Sequence, residues 1–291
     1  MKGPVLVTGG AGSVGRRVAD WLLREGYTVR IFDLPGMNYA GLEGREGLEI
    51  MRGDLTKAES VEQAVKNVSA AIHLAALLPP ASERRREVTF TVNVEGTARL
   101  AEALRRISPG VTLVFSSSVS TYGDTTGVKP PVTVDSPQQA LDIYAESKIT
   151  AEKHLREIYP DTVILRISGI SVPSIQSPPD VWPFMADQRI EFVHRDDVVT
   201  ALCTAAQIEA ARGRVFNIAG GVTWRTTGSG YVKDYYDLLG VPFEEARFLK
   251  HPGWCDWYDT DDSQFIMRYQ KTSYQAYLAQ LRVEAERMMQ A

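Results

Sequence analysis

With 291 residues, 44% hydrophobic and 23% charged, the chain can bury a large core, which excludes intrinsic disorder and suggests one substantial α/β domain with a small appendage. The formal net charge of -4 and the pI of 5.7 give no field of the kind a nucleic-acid or anionic-membrane binder needs. Two cysteines, Cys203 and Cys255, stand far apart without a second ligand pair, so two free thiols are expected and neither a disulfide framework nor a metal site. The opening apolar run ends in glycines and is too short for a signal-peptide core or a membrane span, which makes the cytoplasm the expected compartment.

From the N-terminus, short β-branched runs alternate with amphipathic stretches, the pattern of βαβ units in a parallel sheet. Residues 5–8 read as a first strand. Residues 13–25 read as a helix with Val14, Val18, Trp21 and Leu22 at helical spacing and Gly26 as its stop. Further strands are predicted at 28–33, 48–51, 70–74, 112–116 and 162–166, with helices near 60–67, 93–106 and 141–159. That count predicts a Rossmann-type doubly wound parallel sheet. Residues 1–168 form its dinucleotide-binding core, and 169–291 are mostly a substrate-binding subdomain, with segments near 192–220 returning to the core. Pro173, Pro178, Pro179 and Pro183 mark the change of texture, followed by a helix near 196–209 and an apolar run at 215–219. The last sixty residues predict small helices packed around aromatics, with Trp254, Cys255 and Trp257 read as core rather than pocket lining.

Gly9, Gly12 and Gly15 stand between a predicted strand and a predicted helix. This spacing permits a tight turn, close approach of backbone N–H groups to a pyrophosphate, and close helix–sheet packing, with Ser13 and Val14 opening the helix toward the anion. The second strand ends in Asp33, 18 residues after Gly15, where a carboxylate can accept hydrogen bonds from an adenosine ribose and would repel a 2′-phosphate. NAD is therefore the expected cofactor, and Arg16 and Arg17 keep NADP as the alternative. Asp54 and Leu55 follow the third strand, and His73, Leu74, Ala75 and Ala76 the fourth, at carboxyl ends where ligands of open sheets sit. Asp54 is read either as a contact to the adenine edge or as a helix N-cap or turn aspartate. His73 is read as a packing residue.

Tyr144 and Lys148 lie four residues apart on one face of a predicted helix. A nearby ammonium, aided by a positive nicotinamide ring, is expected to stabilise a phenolate and bring the group into a useful acid–base range. The serine run Ser116, Ser117 and Ser118 ends the fifth strand, and Ser118 is the hydroxyl chosen to face nicotinamide and a substrate oxygen.

Residues 8–15, Asp33, Gly53 with Asp54, His73 to Ala76, Asn93 to Thr97, Ser116 to Ser118, Tyr144 with Lys148, and Phe192 to Asp197 together resemble the extended short-chain dehydrogenase/reductase superfamily, and more narrowly its NAD-dependent epimerase/dehydratase family. The likeness spans about residues 4–220 in order. It implies that Tyr144 is the acid–base, that Lys148 lowers its pKa and holds the nicotinamide ribose, and that Ser118 bonds the reacting oxygen. It also implies that Asn93 supports the site through helix geometry and water, and that two copies pair as a homodimer through the helices at 93–106 and 141–159.

Dehydratases of the family carry an Asp-Glu pair after the strand-five hydroxyl. Here Val119, Ser120 and Thr121 are neutral, which disfavours dehydration. The stretch from Phe115 to Asp124 looks more like UDP-sugar 4-epimerases, yet only about 25 residues separate Ser168 from the Phe192 motif, shorter than nucleotide-sugar enzymes usually carry. The expected function is thus an NAD-dependent epimerase of a sugar or nucleotide-sugar, acting through a transient ketone. The alternatives are a dehydrogenase or reductase of a smaller sugar, sugar acid or other secondary alcohol, and a non-catalytic NAD-binding protein. Arg84 to Arg86, Arg195, Arg225 and Arg268 could hold an anionic substrate, but most are expected to be solvated surface residues.

Overall fold

In the computed structural model, which describes residues 3–290, the chain begins with β1 (Val5–Thr8), α1 (Ser13–Arg24), β2 (Val29–Asp33), β3 (Leu48–Arg52), α2 (Ala58–Ala64) and β4 (Ala70–His73). It continues with α3 (Arg86–Phe90), α4 (Thr97–Ile107), β5 (Thr112–Ser118), α5 (Ile143–Ile158), β6 (Val163–Ile167), β7 (Ile170–Ser171), β8 (Arg189–Glu191) and β9 (Val193–His194). The remaining elements are α6 (Arg195–Ala205), β10 (Val215–Ile218), β11 (Arg225–Thr227), α7 (Gly228–Leu239), α8 (Asp261–Met267) and α9 (Tyr274–Gln290). A π-helical segment, Thr91–Gly96, joins α3 to α4. Seven strands form one sheet in the order β10-β6-β5-β4-β1-β2-β3. β1 pairs in parallel with β2 and β4, β2 with β3, and β4 with β5. The order reverses beside β1, so the carboxyl ends of β1 and β4 flank the crevice where open α/β sheets bind ligands. This is the predicted Rossmann-type fold.

By internal contacts the chain forms two units, the first comprising residues through Ser118, Asp142–Arg166 and Val199–Phe216. Every residue of β1, β4 and β6 in this unit is buried, as strands covered on both faces require. Leu6, Ala71 and Ile164 of these strands pack with Phe32, Leu100, Leu104, Leu113, Phe115 and Leu155 in a core whose burial contributes about 1.5–3 kcal/mol per large side chain.

Several boundaries differ from the sequence reading, and three of the differences have a local reason. α2 lies two residues earlier than predicted, and the chain turns at Asn67, which takes a left-handed φ of 57°. The helix expected from 93 begins at Arg86, where an arginine run carries no apolar period; there Thr89 Oγ1 donates to the carbonyl of Ser82. β5 runs two residues further, through serines that elsewhere favour turns, because Ser117 is buried and donates 2.5 Å to Glu152.

The second unit comprises Val119–Leu141, Ile167–Val198 and the residues from Asn217 onward. β7 pairs in parallel with β9, and β8 antiparallel with β11. Its core is aromatic, built on Trp182, Phe184, Trp224, Tyr231, Tyr235 and Tyr277. α9 exceeds the small helices expected here: Tyr274, Tyr277, Leu278 and Leu281 bury one face at i, i+3, i+4 and i+7. Cys255 joins this core as expected, whereas Trp254 is half-buried and lines a cavity. Arg225 is not a solvated arginine, because its Nε donates 3.0 Å to the buried Glu191, which also accepts from the backbone of Gly221 and Tyr258. Both cysteines are buried free thiols, pushed above their ordinary pKa by desolvation. No described helix is long and apolar enough to cross a membrane.

Candidate active site

The turn after β1 is built as tightly as its glycines suggest. Gly9 has φ +68°, and a Cβ there would stand 2.8 Å from the Ala75 nitrogen; one at Gly15 would stand 2.3 Å from the Gly9 carbonyl oxygen. α1 starts at Ser13 with Gly12 as its cap, no side chain hydrogen-bonds at the cap, and its first turn holds no acid. Its amino end thus offers N–H groups that no acid of its own first turn occupies, which fits a pyrophosphate.

Asp33 ends β2 and accepts from the backbone N–H of Ala11 at 3.0 Å and of Leu34 at 2.9 Å, which ties the glycine turn to the strand end. Arg16 is committed elsewhere. Its guanidinium donates to the carbonyls of Ala11 at 2.9 Å, Ala40 at 2.8 Å and Asn38, so it is already bound where the NADP alternative would need it. Asp54 accepts from the N–H and hydroxyl of Thr56, both at 2.8 Å, a turn geometry; it is not the expected helix N-cap, because the N-cap position of α2 falls on Lys57, whose side chain makes no capping bond. The Leu55 side chain is buried in the core against Gly96.

His73 is locked in place: Nδ1 pairs with Thr8 Oγ1 at 2.6 Å and Nε2 with Thr97 Oγ1 at 2.9 Å. Burial, then the neighbouring Lys148, pushes its pKa down to about 3, so the ring is neutral and structural. Beyond it, Leu74 donates its N–H to the Thr8 carbonyl and Ala75 to Thr8 Oγ1, and Ala76 follows. Asn93, in the π-helical segment, clamps this loop to α5. Its Oδ1 accepts from Leu77 at 2.7 Å, and its Nδ2 donates to the Leu77 carbonyl and to Ser147 Oγ, both at 3.0 Å.

Strand alternation puts Ser116 and Ser118 on one face of β5, opposite Ser117. Lys148 is 3% exposed, and its Nζ donates 2.7 Å to the Ser116 carbonyl, 4.7 Å from the Phe115 ring centre and 5.6 Å from that of Tyr144. The structure therefore brings Ser116, Ser118, Tyr144 and Lys148 onto adjoining stretches of β5 and α5. Burial pushes the Lys148 ammonium down to about 7, opposed by Glu152. The Tyr144 phenol is pushed up by desolvation and then by Asp142. In the polypeptide alone desolvation outweighs the nearby ammonium, a balance that favours the protonated phenol.

Lys148 also carries a stability signature. Between about pH 7 and about 10.5 the unfolded chain binds the lysine proton and the fold does not, so stability rises with pH across that window and the burden is greatest below it. In the cofactor-free protein, Lys148→Met should therefore be more stable than the wild type at about pH 7, by on the order of 2 kcal/mol, with the difference shrinking toward about pH 9. Paired urea titrations at the two pH values measure this; a gap that widens with pH refutes it.

Sequence reasoning missed the groups that set the start of α5. Asp142 caps the helix by accepting from Ala145 N–H at 2.7 Å, an N-cap signal legible in principle. Glu83, from the loop after β4, accepts from the N–H groups of Ile143 at 2.9 Å and Tyr144 at 3.1 Å. Nothing in the local pattern around Glu83 announces that long-range partner.

The first unit thus joins a Rossmann sheet, a glycine turn and a Tyr-x-x-x-Lys helix beside a serine-ended strand. The chain belongs to the NAD dependent epimerase/dehydratase family, whose model matches residues 5–181. It is 33% identical over 157 residues to a 3-beta-hydroxysteroid dehydrogenase of Mycolicibacterium neoaurum, covering 52% of this chain and 42% of that protein. It is 32% identical over 167 residues to UDP-glucose 4-epimerase 3 of Oryza sativa subsp. japonica, covering 53% and 44%. The chain thus matches less than half the length of either relative. A crystal structure of a short-chain dehydrogenase/reductase superfamily protein from Agrobacterium tumefaciens with bound NAD superposes with a TM-score of 0.79 at 24% identity, covering 99% of this chain and 98% of the other, a likeness of fold.

Proposed function

We propose that this chain is an NAD-dependent sugar epimerase acting through a transient ketone. The observation that carries the reading is the Tyr144–Lys148 face of α5 set against the serine end of β5, in a fold whose first turn fits a dinucleotide phosphate. In this reading Gly9, Gly12, Ser13, Val14 and Gly15 hold the pyrophosphate, Asp33 the adenosine ribose, and Asp54 and Leu55 flank the adenine. Leu74, Ala75, Ala76, Asn93 and Ser116 frame the nicotinamide half, whose ribose Lys148 holds. Bound NAD supplies the hydride acceptor and donor.

With the positive nicotinamide ring of bound NAD favouring its phenolate, Tyr144 takes the proton of the substrate hydroxyl as the alcohol becomes a ketone and returns it when the carbonyl is reduced on its other face. Ser118 donates a hydrogen bond to the same oxygen. Elimination of water is disfavoured, because the buried turn Val119–Tyr122 after β5 offers no acid. A second reading, net dehydrogenation of a smaller secondary alcohol, is favoured by the short stretch between β6 and Phe192, which holds only β7 and β8 as regular structure among the described residues.

Turnover of a sugar panel without added cofactor, followed by NMR for the inverted product, tests the proposal, with NAD found in the purified protein. Stoichiometric NADH formation instead establishes the dehydrogenase. Tighter binding of NADP than NAD at equal salt would overturn the role given to Asp33.

A further inference from the structure

We propose that the second unit contains a binding pocket for an uncharged, hydroxyl-bearing ring compound rather than for a nucleoside diphosphate. Naming that compound as substrate rests on the enzymatic reading above; the binding stands apart from it. The cavity is about 370 Å³, within the range of small-molecule sites. It is walled by Trp182, Phe192, Tyr231, Tyr235, Trp254 and Tyr277, drawn from five separate stretches of chain. Among the described residues no acidic or basic side chain lines it. A pyrophosphate entering there would lose hydration without gaining a cation, a cost that aromatic walls do not offset. The C–H faces of a neutral ring bury well against aromatic faces, and its hydroxyls can meet Ser171, Gln176 and Ser177 at the lining.

The walls are held rigid, which lowers the entropic cost of binding. Trp182 meets Tyr231 and Tyr235 edge-on, with ring centres 6.1 and 6.0 Å apart, and Phe192 meets Tyr231 edge-on at 5.1 Å. The Tyr235 hydroxyl donates 2.7 Å to the Gln176 carbonyl and accepts 2.9 Å from its N–H, pinning the proline-rich stretch to α7.

The shared chemistry, a saturated ring with hydroxyls, could come from a free sugar or from a sterol-like alcohol. Tryptophan fluorescence of the full chain with NAD present, titrated separately with D-galactose, with a 3β-hydroxysteroid and with UDP, tests the proposal. Saturable change with a neutral probe and none with UDP is expected, and the probe that binds identifies the source. Trp254→Ala should weaken that binding about tenfold by calorimetry. Phe192→Leu, a milder change to a half-buried ring, should weaken it about fivefold and serves if the first variant does not fold. UDP binding as tight as either neutral probe, binding by neither neutral probe, or variants that bind as well as the wild type would overturn the pocket. Neutral binding without any turnover would instead refute the enzymatic reading, and turnover of a UDP-sugar would refute the pocket while leaving that reading intact.

Discussion

Tyr144→Phe is expected to lower turnover about 10³-fold on any substrate the protein accepts, while NAD binds as before. The ring stays, so packing at the start of α5 is preserved, and Lys148 keeps its bond to the Ser116 carbonyl. Only the oxygen proposed to exchange a proton is lost. The polypeptide biases that oxygen toward its protonated state through burial and Asp142, so the direction that reduces a ketone starts with the acid already loaded. NADH absorbance or product NMR gives the rate, and equilibrium dialysis gives the cofactor affinity. A variant that turns over within threefold of the wild type would remove Tyr144 from the chemistry, and a wild type without turnover would favour the non-catalytic alternative.

The second large effect is on the fold. Glu152 is completely buried on α5 and Arg166 is 2% exposed on β6; their closest contact is 2.7 Å, and Ser117 donates to the same carboxylate. Glu152→Ala leaves a guanidinium buried without its counter-charge and is expected to cost about 3–5 kcal/mol. Urea unfolding with an unchanged slope should show it as a lower midpoint. Adding Arg166→Met should recover most of the loss, since a buried pair is often replaceable by apolar packing even though neither half tolerates being alone. Independent losses that simply add would show that the two side chains are not a unit.

What could be read along the chain, and what could not, follows from the range of the interactions. The glycine turn, the strand-ending Asp33 and the Tyr144–Lys148 spacing are local patterns, and each falls where its pattern implies. Arg166 was half legible: a charge inside the buried run of β6 announces a partner without saying which. Glu83, the commitment of Arg16 to three carbonyls, and the clamp of Asn93 on Leu77 and Ser147 were not legible, because their partners lie on other elements or loops and are set by tertiary packing. Spacing shows that the ammonium is near, but the desolvation that raises the phenol in the polypeptide alone depends on how much protein surrounds both groups and is not a local pattern.

The tether of Arg16 bears on how the chain could evolve a different cofactor preference. Its guanidinium staples the turn after β1 to the segment around Asn38 and Ala40, so it cannot be recruited to a 2′-phosphate without releasing both. Replacing the acid at Asp33 alone would strip the anchor from Ala11 while supplying no new cation. A switch of dinucleotide that recruits Arg16 in this scaffold therefore demands at least two coordinated changes, with a poorly held loop as the intermediate that selection would have to cross.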